Sequence, residues 1–185
     1  PENTVFMLVA DEIDRVLPTI RSRCRLIRAG APTREQALEW LKSQGVQDAE
    51  RKLTEAGGMP LAVFDEDARF RLADETRERF LAYLRLGHAA PPAQALSVAD
   101  KDVTLSAAAL FLSRWGWDLA SAKVGCEPQY FPEFAEEIKT IAQAANPTGL
   151  YTWINSVRDI RRVSEHPLNA KTMIEALLIS YARNI

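Results

Sequence analysis

Apolar and polar positions along the 185-residue chain follow two rhythms. From Thr4 to Ala10 the chain reads Thr-Val-Phe-Met-Leu-Val-Ala, a continuous apolar run that suits a strand buried on both faces of a parallel sheet. Arg25-Leu-Ile-Arg28 is expected to form a second short strand. Two strands are too few for an independent sheet, so the pattern implies sheet partners that this chain holds only as a small remnant or not at all.

After Ala29-Gly-Ala-Pro32 the rhythm becomes helical. Thr33 with Gln36 forms a capping-box pattern, and Ala37, Leu38 and Leu41 follow as an apolar stripe until Gly45. A second short helix is expected from Asp48 to Ala56, closed by Gly57-Gly58, and a third from Met59-Pro60, since proline fits a first helical turn. Longer helices are expected from about residue 69. Their apolar faces are Phe80, Leu81 and Leu84; Ala108, Leu112, Trp115 and Leu119; Phe134, Ile138, Ile141 and Ala145; Trp153, Val157 and Ile160; and Ala170, Met173, Ile174, Leu177, Leu178 and Tyr181. Pro91-Pro92 and Asn146-Pro147 separate elements, because the residue before proline is disfavoured in the α region. The expected fold class is mainly α: a remnant of an α/β core at 1–30, a short helical domain at 31–68 and an antiparallel helical bundle at 69–185.

Composition narrows the function classes. With 47% hydrophobic residues the chain can bury a real core, and a net charge of −2 does not advertise a nucleic-acid or anionic-membrane binder. The opening Pro-Glu-Asn-Thr lacks both an initiator methionine and a basic-plus-apolar leader, and no apolar run approaches membrane-spanning length. The expectation is a cytoplasmic piece of a longer chain, with no membrane partner. Cys24 and Cys126 lie far apart and, with His88 and His166, lack zinc-ligand spacing, so reduced structural thiols and no metal are expected.

No phosphate-loop pattern, nucleophile elbow, His-Glu-x-x-His pair or Gly-x-Gly-x-x-Gly turn is present, which argues against a self-contained active site. Asp65-Glu66-Asp67 reads as a solvated acidic face. Arg158, Arg161 and Arg162 share one helical face; phosphate contact is one reading of them, and surface solubility fits the bulk charge better. One constellation stands out: Arg15, Arg21, Arg23, Arg25 and Arg28, clustered behind the first apolar run. A cationic solvated turn accounts for it on chemistry alone. The functional reading is that a guanidinium at a sheet rim, planar and always charged, neutralises the oxygens of a phosphoryl group held by a neighbouring chain.

The run Thr4 to Ala10 followed by Leu17-Pro-Thr-Ile-Arg-Ser-Arg-Cys24 resembles the end of the AAA+ ATPase core of clamp-loader subunits, whose Ser-Arg-Cys signature supplies an arginine finger in trans. Pro1-Glu-Asn-Thr4 resembles that family's approach to its sensor strand. Leu53-Thr-Glu-Ala-Gly-Gly-Met-Pro-Leu-Ala-Val63 resembles the family's helical lid, and Leu168-Asn-Ala-Lys-Thr-Met-Ile-Glu-Ala-Leu-Leu178 resembles the last helix of the collar domain in bacterial delta-prime subunits. Two departures from the motor members of the family bear on activity. The sensor position falls at Asp11, a carboxylate that repels a γ-phosphate, and the lid arginine position falls at Pro60. The resemblance therefore implies a non-motor subunit of the delta-prime kind, missing its upstream zinc module and nucleotide fold.

By the same resemblance, the collar is expected to join a five-membered ring with motor (gamma/tau) and delta subunits, and the ring to load a sliding clamp on primer-template DNA. Arg23 is the expected trans arginine finger, with Ser22 and Cys24 shaping its turn. No cofactor is expected on this chain; ATP sits on the neighbouring subunit. Two rivals are a helical scaffold without a role in nucleotide hydrolysis and an independent nucleic-acid-binding domain.

Overall fold

A computed structural model describes residues 4–10, 13, 16–64, 71–100, 102–164 and 169–185. The chain divides into two units, Pro1–Pro32 and Thr33–Ile185.

In the first unit the expected strands do not form. Residues 4–10 and 25–28 have no regular structure, and no strand occurs among the described residues. Val5, Phe6, Met7 and Val9 are each at least 80% exposed. An apolar strand gains burial and ladder hydrogen bonds only from neighbouring strands, and the described residues of this unit offer none. The α-helix among them is α1 (Pro18–Arg21), a single turn begun by proline, which needs no amide partner at that position.

The second unit is helical. α2 (Arg34–Ser43) begins with both arms of the capping box: the Gln36 amide N–H donates to Thr33 Oγ1 at 3.3 Å, and the Thr33 N–H donates to Gln36 Oε1 at 3.0 Å. α3 (Ala49–Glu55) comes next. Ala37, Leu41, Ala49, Leu53, Ala56 and Val63 bury a small core of their own, with Leu38 packed against it. Of the third expected helix, the described residues show a 3-10 turn, Leu61–Phe64, just after Met59-Pro60.

The larger core lies in α4 (Asp74–Leu84), α5 (Ala95–Val98), α6 (Leu105–Lys123), α7 (Ala135–Ala144), α8 (Pro147–Val163) and α9 (Ala170–Asn184). α6 is the axis, packing on α7, α8 and α9. The stripes predicted for it and for α9 are buried, save that Ala170 and Met173 are only half-buried. Asn146, before Pro147, caps α8 with its side chain, which accepts from the Thr148 and Gly149 amides.

The antiparallel expectation needs one correction. α8 does run against α6, because Ser106 meets Ser164 while Gly116 faces Trp153 and Ile154. It also runs against α9, whose last residue, Asn184, lies at Gly149 in the first turn of α8. α7 runs the other way. Phe131, just before α7, stacks edge-on against Phe111 and Trp115, whereas Lys123 at the end of α6 donates to the carbonyls of Gln143 and Ala145 at the end of α7. The connection over residues 124–131 returns along α6 before α7 starts, so the two helices share one direction. A short loop forces antiparallel neighbours; one of this length does not.

Candidate functional site

Arg23 lies one residue beyond the α1 turn. Its N–H donates to Ile20 O at 3.0 Å, and Ser22 ends the helix with its hydroxyl donating to Thr19 O at 3.2 Å. These bonds fold Leu17–Cys24 into a compact turn from which Arg23 projects. The Arg23 side chain is exposed and takes part in no ion pair among the described residues. Its charge is therefore available to an external anion. Cys24 is exposed and unpaired, as is Cys126. Arg21, Arg25 and Arg28 are exposed as well, so the structure brings four of the five clustered arginines onto one solvated segment. Arg15, Asp11, Asp65-Glu66-Asp67 and His166 lie outside the described residues. Pro60 precedes the 3-10 turn and carries no donor toward any anion. Arg158 and Arg162 are exposed and share Asp159 at 3.9 and 4.0 Å, the solvated arrangement of a surface face.

A second locus, missed by sequence reasoning, joins the α2–α3 segment to the bundle. Asp118 is completely buried in α6. Its carboxylate accepts the backbone N–H groups of Gln129, Tyr130 and Phe131 at 2.8, 3.0 and 2.8 Å. Burial pushes its pKa up, and the three N–H donors oppose that rise. The signal was present in the sequence: Phe111, Trp115 and Asp118 recur at helical spacing, which places a lone carboxylate on an apolar face.

The loop that Asp118 holds makes the junction. The Gln129 side-chain amide donates to the carbonyl of Gly57, and the Tyr130 ring occupies the place where a Cβ on Gly57 would stand. Gly57 has a φ of 65°, so both its backbone conformation and this close approach require glycine. Arg114 is half-buried, 5.6 Å above the Tyr130 ring centroid. Beside them opens a cleft of about 430 Å³ lined by residues of α3, α4, α6 and the loop. Arg51 bridges the junction to Asp74 at 3.4 Å.

Among the described residues, no cluster of three or more His, Cys, Asp or Glu side chains is placed to hold a metal, and no helix is long and apolar enough to cross a membrane.

Two curated proteins are similar to parts of this chain. Both are DNA polymerase III subunit delta'. The protein from Buchnera aphidicola subsp. Baizongia pistaciae is 39% identical over 46 residues, 25% of this chain. That from Haemophilus influenzae is 38% identical over 66 residues, 34% of this chain. The matches span only 14% and 20% of the relatives' own length. No family model and no solved structure matches. The likeness supports the delta-prime family at moderate identity and over limited length.

Proposed function

We propose that this chain is the C-terminal part of a delta-prime-type, non-motor subunit of a bacterial replicative clamp loader. The observation that carries the reading is the similarity to DNA polymerase III subunit delta' in two bacteria. The ordered motifs support it, above all Leu17-Pro-Thr-Ile-Arg-Ser-Arg-Cys24. In this reading the bundle joins a ring with motor (gamma/tau) and delta subunits, and the assembled ring acts on a sliding clamp and primer-template DNA.

Arg23 then acts in trans. The neighbouring motor subunit holds the ATP, and the Arg23 guanidinium offsets negative charge that develops on the transferring phosphoryl group. Such a residue needs exposure, a permanent charge and no competing carboxylate. Arg23 has all three among the described residues. Asp11 and Pro60, which stand where the motor members carry donors, support a subunit that does not hydrolyse ATP itself.

The test is sedimentation of the chain mixed with a cognate motor subunit, with and without delta. The expected result is a stoichiometric complex. A folded chain that sediments alone at micromolar concentrations of both partners would reject ring assembly through residues 69–185.

A further inference from the structure

The cleft beside Arg114 has a charge pattern that the arginine-finger reading leaves unused. Three of its lining cations, Lys52, Arg71 and Arg114, have no ion-pair partner among the described residues. Of the three carboxylates that line the cleft, Glu55 pairs with Arg51 at 3.1 Å and Asp74 with the same guanidinium at 3.4 Å, while Asp48 makes no ion pair among the described residues; the lining cations Arg51, Lys52, Arg71, Arg77 and Arg114 outnumber them. Burial acts most strongly against the Arg114 charge and Arg161 disfavours it further; Tyr130 and Glu55 favour it, although neither Glu55 nor any other carboxylate among the described residues forms an ion pair with it. A half-buried guanidinium without a carboxylate is costly unless something else supplies the negative charge. Its close partner is the ring of Tyr130, held in place by Asp118 through the backbone N–H groups.

We infer that this cleft binds a small phosphate-bearing ligand, with Arg114 as the central group and Lys52 and Arg71 as flanking cations. Volume and charge both favour that class. A space of about 430 Å³ suits a small molecule, and a phosphate group, carrying more than one negative charge on a compact set of oxygens, engages several cations where a single carboxylate matches one. Phe111, Tyr130 and Phe131 line the cleft with these cations, and Phe111 and Phe131 are buried; apolar surroundings of this kind strengthen a charge interaction.

Calorimetric titration of the chain with pyrophosphate, at ionic strength fixed with sodium chloride, tests this. The expected result is saturable one-to-one binding, weakened about tenfold or more by Arg114→Gln, a loss on the scale of one charge-assisted contact, reduced by Lys52→Gln and Arg71→Gln, and unchanged by Arg158→Gln, an exposed arginine that does not line the cleft. Lys52 and Arg71 are not core residues, so those two variants decide the matter should Arg114→Gln fail to fold. Absence of saturable heat, or an equal loss in Arg158→Gln, overturns the site as nonspecific charge attraction. Tighter binding of a hexaglutamate peptide than of pyrophosphate overturns the ligand class in favour of an acidic protein segment. None of these outcomes depends on clamp-loader assembly, so this site and the delta-prime reading stand or fall separately.

Discussion

The indole N–H of Trp115 donates to the hydroxyl of Tyr181 at 3.2 Å, and neither residue has any exposed surface. That hydroxyl in turn donates to Leu84 O at 2.6 Å, so one phenol satisfies a donor on α6 and an acceptor on α4 from its position on α9. Three helices are pinned at a single atom. Burial pushes the Tyr181 pKa far up, which keeps the hydroxyl protonated and able to donate.

Tyr181→Phe removes that atom and nothing else. The Trp115 N–H and the Leu84 carbonyl are both left buried without this partner, and each such loss costs about 1–3 kcal/mol. Urea unfolding is expected to show a decrease of about 2–6 kcal/mol with an unchanged slope. A decrease below about 0.5 kcal/mol would mean that water or a shifted Trp115 replaces the hydroxyl.

Gly149 is fixed by the approach of α9. A Cβ at this position would overlap the carbonyl oxygen of Asn184, backbone that has no rotamer to retreat into. Gly149→Ala is expected to lower stability by about 1–3 kcal/mol even though alanine is the better helix former. Gly30→Ala, whose added carbon meets nothing within 4 Å, is the matched control and should leave the melting temperature unchanged. Stabilisation by Gly149→Ala would show that α8 and α9 can separate at this contact without loss.

These contacts show what the sequence could and could not disclose. The spacing of Leu177, Leu178 and Tyr181 announced a buried helical face, and the Thr33/Gln36 pair announced a helix start, because both depend on residues within a few positions of one another. The direction of α7 did not follow from any local pattern; it depends on where the loop over 124–131 returns, which Asp118 decides from eleven or more residues away. Residues 4–10 read as a strand because apolar runs of that length usually find a sheet, and no partner strand exists among the described residues. Arg23 was singled out by its neighbours in sequence, whereas the Arg114 cleft is assembled from α3, α4 and α6 and has no linear signature.

Asp118 makes stability depend on pH in a defined direction. Its pKa is raised by burial above the ordinary aspartate value, so on acidification the folded protein takes up this proton before the unfolded chain does. The folded state therefore binds more protons between the two values, and this group's contribution to stability falls as pH rises through that window. Unfolding free energies of the parent and Asp118→Asn, measured from pH 4 to 7, should differ by an amount that changes with pH, the parent gaining on the variant toward acid. A constant difference would place the folded and unfolded values together.

The last prediction concerns Arg23 under the clamp-loader reading proposed above, in a full-length protein mixed with motor and delta subunits. If the guanidinium acts on a neighbour's ATP, its removal affects only the transition state and not assembly, because the exposed side chain makes no ion pair in its own chain among the described residues. Arg23→Ala should leave complex formation intact and lower DNA-stimulated ATP hydrolysis by at least about tenfold, a modest share of the roughly 10³ to 10⁵ known for arginine fingers in GTPases. Arg23→Lys separates charge from geometry. A lysine keeps the charge but loses the planar fork, so weak rescue marks bidentate contact with the phosphoryl oxygens, and full rescue marks a simple field effect. Arg25→Ala, in the same segment and equally exposed, should change hydrolysis little. Equal losses at Arg23 and Arg25 would assign the segment to nonspecific attraction instead of a positioned finger.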